Sequence, residues 1–260
     1  MTRLLACLTL LFCALFARAE DAAIGEVFTA TGARGTLVIE ALGSRQRFVH
    51  DQRRARQAYA AASTFKVLHS LIALEEQAIG DEHEVIAWDG KQHEIADWNQ
   101  DQTLASAFRV SCVWCYQELA RRIGASRYPQ HIRAAGFGQL SDGFAARTFW
   151  LDGALTISAE QQIVFLRRLV ERRLPYRASS FAILRTIMLA ESGPTHRLYA
   201  KTGWATRSTP GIGWYVGYLE NAGETWLFAL NLDIQDAAEL PLRRQIMLAA
   251  LRAKGILPTP

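Results

Sequence analysis

Lysine is scarce in this chain of 260 residues: of 29 basic side chains only four, Lys66, Lys91, Lys201 and Lys254, are lysines. Arginine serves wherever a generic positive charge will do, so each lysine needs its own reason. Long apolar runs are missing after residue 19, where nothing approaches the roughly 18 uninterrupted apolar residues that would cross a bilayer. Cysteine is sparse, four in all. Two of them, Cys7 and Cys13, fall in the first 19 residues, so the remainder keeps Cys112 and Cys115 and cannot be a disulfide-stapled scaffold. An excess of one charge is missing too. The formal +4 falls to +2 if Arg3 and Arg18 are removed, since no acidic residue lies among the first 19. So weak a bias argues against a nucleic-acid or membrane-surface partner. Internal repeats, low-complexity tracts and linkers are absent.

What is present begins with MTRLLACLTLLFCALFARA, residues 1–19. An early arginine, a short apolar run and Ala17-Arg18-Ala19 are the parts of a cleaved export signal. The reading is a periplasmic protein, a single domain over 20–260, soluble after export. Its half-hydrophobic composition can build a substantial core.

GTLVIEAL (35–42), a Gly43-Ser44 turn and RQRFVHD read as a hairpin. Near the other end Phe228, Leu230, Leu232 and Ile234 alternate with Ala229, Asn231 and Asp233, the period of a half-buried strand. GIGWYVGYLE (211–220) reads as its antiparallel neighbour. Between the ends the pattern is helical. FKVLHSLIALEEQAI places Phe65, Leu68, Ile72 and Ile79 on one face, with Gly80 as the stop. Ser158 and Gln161 form a capping box for a helix that stops at Pro175, and a last helix starts near Leu240-Pro241. RRLVERRLPYR (167–177) reads as a solvated basic face. The expected fold is α/β: a helix-flanked antiparallel sheet drawn from both chain ends, about 20–60 and 195–260, with an inserted helical lobe over about 61–194.

Two of the four lysines lie in S-T-F-K (Ser63 to Lys66) and K-T-G (Lys201, Thr202, Gly203). Chance supplies about 0.2 of the first and about 0.02 of the second in a chain of this composition. Residues i and i+3 share a helix face, so Ser63 Oγ and Lys66 Nζ can meet. A serine nucleophile needs a proton acceptor, and a lysine serves only when neutral, which burial achieves by lowering its pKa. The plainer reading makes Ser63 an N-cap and Lys66 an exposed first-turn lysine; K-T-G on the strand-like HRLYAKTGW turns the balance toward chemistry. There is no G-x-S-x-G elbow and no H-E-x-x-H. His69 is read as a packed or exposed residue, not a catalytic one.

These motifs resemble the class D, oxacillinase-type, serine β-lactamases. The likeness extends from about Gly35 to Pro258 through S-C-V (Ser111, Cys112, Val113), YQELARRIG, FWLDGALTISAEQQ, GWYVGY and NLDI with LPLRR. It implies the αβα sandwich with a helical lobe. It also implies that Ser63 is the acylated nucleophile and that Lys66, as N6-carboxylysine, is the general base. Ser111 would relay protons, Val113 would wall the lysine, and Trp150, beside Leu151, would donate to the carbamate. Lys201, Thr202 and Arg243 would face the substrate carboxylate, with the Ser63 and Trp204 amides as oxyanion hole. Carbon dioxide or bicarbonate would be needed, no cofactor and no metal otherwise, and the partner would be a small β-lactam. For Trp150 and Val113 the plainer reading is core packing. A D,D-peptidase or a non-catalytic β-lactam sensor would share Ser/Lys and K-T-G. The family's usual Tyr-Gly-Asn is replaced by Phe137-Gly138-Gln139, and C-V-W-C allows Cys112 and Cys115 to be either a disulfide or two thiols. Two ligands make a poor zinc site.

Overall fold

The computed structural model describes residues 20–221 and 223–258, so the leader read from residues 1–19 lies outside the described residues. β1 (Gly35–Ala41) and β2 (Arg47–His50) form the expected hairpin, with Glu40 facing Arg47. β3 (Leu189–Ser192), β4 (His196–Ala205), β5 (Gly211–Asn221) and β6 (Glu224–Ile234) complete one sheet. Its order is β2-β1-β6-β5-β4-β3, all antiparallel. Leu37 stands opposite Leu230, so strands from the two ends of the chain are neighbours, as the patterning implies.

β6 differs from its expected half-buried state. Phe228, Leu230 and Leu232 enter one core with α1 (Ala22–Thr31) and α6 (Leu242–Ala253). Leu227 and Ala229, on the other face, enter a second core with the inserted helices. Asn231 is fully buried and its Oδ1 accepts a 2.7 Å hydrogen bond from Arg54 Nε. The helical lobe covers the face that a two-layer sheet would leave wet, and three layers result.

The central helix α2 (Lys66–Glu75) follows a 3-10 turn over Ala62–Phe65. It has no single apolar face, because every residue from Lys66 to Leu74 is buried. It also stops well before Gly80. Gln77 takes φ +54, Ala78 N donates to Ala73 O at 2.8 Å and Gln77 N to Leu74 O at 3.3 Å, a Schellman closure built on a glutamine. α3 (Val113–Ile123) and the one-turn α4 (Phe149–Asp152) flank α2's N-terminal end. α5 (Ala159–Val170) begins with the expected capping box: Gln161 N donates to Ser158 Oγ at 3.1 Å and Ser158 N to Gln161 Oε1 at 2.9 Å. It ends five residues ahead of Pro175. The segment 167–177 is solvated only in part: Arg167 is buried and donates to Glu40 Oε1 at 2.6 Å, because α5 packs against β1. Arg172, Arg173 and Arg177 remain exposed.

Candidate active site

Ser63 sits in the turn Ala62–Phe65, which Ala62 enters at φ +48. The expected N-cap role is not taken: no side chain caps α2, and Ser63 Oγ instead accepts a 2.7 Å hydrogen bond from Lys66 Nζ. The turn is pinned from two sides. Thr64 Oγ1 donates to Ala61 O at 2.6 Å and accepts from Gln162 Nε2 on α5 at 2.9 Å. From β4, Gly203 comes so close that a Cβ there would lie 3.2 Å from Thr64 Cγ2 and 3.3 Å from Thr64 N. The glycine of K-T-G is thus what lets the strand run against the serine's turn.

Lys66 is 0% exposed and has no ion-pair partner among the described residues. Burial first, and the charge of Lys201 second, push its pKa well below the ordinary lysine value. Its Nζ lies 5.1 Å from the centre of the Tyr116 ring. Nearby Trp150 is also 0% exposed, stacked on Phe65 at 6.0 Å and meeting the His69 ring at 5.2 Å. Its Nε1–H has no acceptor. A buried donor left unpaired costs about 1–3 kcal/mol and needs an explanation.

Ser111 adopts φ +57, held by a 2.9 Å bond from Cys112 N to Ala107 O. That turn presents Ser111 Oγ to Lys201 Nζ, which donates to it at 3.1 Å and to Thr202 O at 3.0 Å. Lys201 is 4% exposed, and burial, with Arg243 as the second cause, lowers its pKa to about 7. Arg243 reaches over from α6, donating to Gly203 O and to Leu240 O, each at 2.8 Å; burial lowers its pKa to about 10. A cleft of about 450 Å³ opens beside Lys201 and Thr202, lined also by Phe108, Arg109, Leu189 and Arg244. Thr202, Val113 and Leu151 are half-buried and Trp204 is exposed. Two clusters therefore stand side by side, Ser63 with Lys66 and Ser111 with Lys201, Thr202 and Arg243. No direct hydrogen bond joins them among the described residues.

Residues 21–252 match the family model of the penicillin-binding protein transpeptidase domain. The chain is 39% identical over 231 residues to β-lactamase OXA-48 of Klebsiella pneumoniae, covering 89% of this chain and 87% of that protein. It is 33% identical to β-lactamase OXA-10 of Pseudomonas aeruginosa over 241 residues, 92% of this chain and 91% of that one. The crystal structure of the class D β-lactamase YbXI from Nostoc matches with a TM-score of 0.88 at 38% identity, over 90% of this chain and 99% of that one. That of FUS-1 (OXA-85), a class D β-lactamase from Fusobacterium nucleatum subsp. polymorphum, gives 0.89 at 31%, over 92% and 100%. The chain belongs to the class D β-lactamases. As a class D serine β-lactamase it is a hydrolase of the β-lactam amide bond.

Within the class D frame, Phe137 is fully buried, edge-on to Phe165 at 4.8 Å and to Phe65 at 5.6 Å. An aromatic nest of this kind has no need of a hydroxyl. Gly138 takes φ +65 and a Cβ there would strike Thr156 O, while Gln139 pairs with Thr156 and points to solvent. Cys112 and Cys115 are joined by a disulfide, which decides between the two readings left open by their spacing. Among the described residues no group of three or more His, Cys, Asp or Glu could hold a metal, and no helix is long and apolar enough to cross a membrane.

Sequence reading missed the polar lining beneath Lys66. Ser70 Oγ donates to Lys66 O at 2.8 Å and lies 2.7 Å from Tyr116 Oη; Tyr128 Oη lies 2.7 Å from His69 Nε2. His69 and Ser70, three and four residues after Lys66, carried a signal: polar groups on a helix with no wet side must find partners inside. Tyr128, 59 residues from His69, carried none.

Proposed function

We propose that the enzyme opens the β-lactam ring through an ester on Ser63, with Lys66, carboxylated by carbon dioxide, as the general base. The observation that carries this is the pairing of a buried lysine, lacking any carboxylate and 2.7 Å from Ser63 Oγ, with the unpaired indole N–H of Trp150. Burial keeps the amine neutral, the form that reacts with carbon dioxide, and the unpaired donor suits the anion that results. That carboxyl would supply a base effective near neutral pH, which a buried ammonium is not. Trp150 would hold it, with Val113 and Leu151 as apolar walls.

Ser63 Oγ attacks the lactam carbonyl, its proton leaving toward Lys66. The amides of Ser63 and Trp204 receive the developing oxyanion. Lys201 and Ser111, 3.1 Å apart, pass a proton to the departing ring nitrogen. Lys201, Thr202 and Arg243 face the substrate carboxylate, whose negative charge favours the protonated form of a lysine otherwise near pKa 7. Water then attacks the ester from the Lys66 side. Against a D,D-peptidase stand Trp150 and Val113, which serve a carbamate. The protein would work in the periplasm as a single catalytic domain, after loss of residues 1–19.

Turnover of a chromogenic cephalosporin with and without bicarbonate tests this reading: sustained turnover that rises with bicarbonate is expected, and a single burst without turnover rejects it. Ser63→Ala should abolish covalent labelling by a penicillin; persistent labelling moves the nucleophile elsewhere.

A further inference from the structure

His69 lies three residues beyond Lys66 on α2 and is equally buried, at 0% exposure. Burial holds its pKa at about 3, so the imidazole is neutral and carries one N–H. Which nitrogen carries it follows from hydrogen-bond accounting. Nε2 lies 2.7 Å from Tyr128 Oη, also buried, and that phenol has no other partner among the described residues. If Nε2–H donated, the phenol hydrogen would be buried unused and Nδ1 would be an empty acceptor. If the phenol donates, only one group is left over, an Nδ1–H. That nitrogen is indeed without a partner.

Two buried N–H groups lacking acceptors, His69 Nδ1 and Trp150 Nε1, therefore belong to rings packed together beside the first turn of α2. Their rings stand 5.2 Å apart at 66°. Tyr116 links the imidazole to the amine: its ring centre is 5.1 Å from Lys66 Nζ and 5.1 Å from the His69 ring. Two donors without an acceptor make a chamber that favours an anion and disfavours a cation. We infer that His69 is a positioning residue whose Nδ1–H acts with Trp150 Nε1–H to hold the carboxylated side chain of Lys66; this rests on the carboxylation reading given above. The phenol of Tyr128 sets the tautomer, so a hydroxyl remote in sequence selects which imidazole nitrogen faces the chamber with a hydrogen.

The test is a titration of the exported-form enzyme with ¹³C-bicarbonate, counting the carbamate carbon by NMR, with the melting temperature followed in parallel. His69→Phe keeps a ring and removes the N–H, and should raise the half-saturating bicarbonate concentration about tenfold or more. His69→Asn restores a donor and should stay within about threefold of wild type. A purely structural role would lower the melting temperature and leave half-saturation unchanged, and that result overturns the inference. Should His69→Phe not fold, Tyr128→Phe, which frees the tautomer, decides by the same pair of outcomes. A wild-type enzyme with no carbamate signal overturns the carboxylation reading and this inference with it. That outcome differs visibly from a wild-type signal matched by an unchanged His69→Phe titration.

Discussion

Replacing Trp150 by phenylalanine separates the packing of its ring from the hydrogen on its nitrogen. In the uncarboxylated enzyme that hydrogen is buried without an acceptor, a cost of about 1–3 kcal/mol that the substitution relieves. The smaller ring leaves a cavity beside Phe65, Phe149 and His69, with a penalty of similar size. The two nearly cancel, and the stripped variant should unfold within about 1 kcal/mol of wild type. With bicarbonate the two proteins diverge. A hydrogen bond to a charged group contributes about 1.5–3 kcal/mol, so the variant should take up carbon dioxide roughly 10- to 150-fold more weakly. At ten times the wild-type half-saturation, wild type gains about 1.4 kcal/mol by mass action and the variant about 0.4 or less. Urea denaturation in carbon-dioxide-free and bicarbonate buffers measures both numbers, and deacylation of a chromogenic cephalosporin should slow in parallel. Equal stabilisation of the two proteins by bicarbonate would refute the reasoning, as would a stripped variant several kcal/mol weaker than wild type.

Lys201→Met should raise stability at pH 7 while destroying substrate binding. The folded pKa of about 7 lies below the unfolded value near 10.5, so the unfolded chain holds more protons between those limits and stability falls as pH drops through that window. The upper limit of the gain at pH 7 is about 4 kcal/mol, reduced by the lost hydrogen bonds to Ser111 and Thr202. The difference between variant and wild type should shrink as pH is raised from 7 to 9, and a pH-independent difference would contradict the assignment. For the Cys112–Cys115 bridge, whose sequence separation is 3, loop entropy gives about 2 kcal/mol. Cys112→Ala/Cys115→Ala should lose up to that amount in denaturation and, because the bridge flanks the Ser111 turn, lose turnover at unchanged labelling stoichiometry.

Much of the fold was legible because its signals are local. The hairpin over 35–50, the strand period of 228–234 and the Ser158–Gln161 box each fit within a few residues, and S-x-x-K places a base beside its nucleophile by helical geometry alone. K-T-G was legible as a pair to it only through composition and resemblance, since nothing local brings residue 201 against residue 63. Two of the departures share a cause. Periodicity presumes a wet side, and in a three-layer fold α2 and β6 have none, so their one-faced readings were too narrow. Arg167 was misjudged because the neighbouring Glu40 that draws it inward is 127 residues away. The Ser63 cap was displaced because Lys66, with no carboxylate to meet, competes for the same oxygen.

The all-round burial of α2 has a consequence for how this enzyme loses activity. Amides in the interior of a fold exchange with solvent only when the whole structure opens, whereas lids and surface turns open on their own at little cost. The residues from Lys66 to Leu74 belong to the first kind. With carbon dioxide kept saturating, heat inactivation should therefore follow the global transition, and drift of sequence along this helix is confined to exchanges that conserve volume.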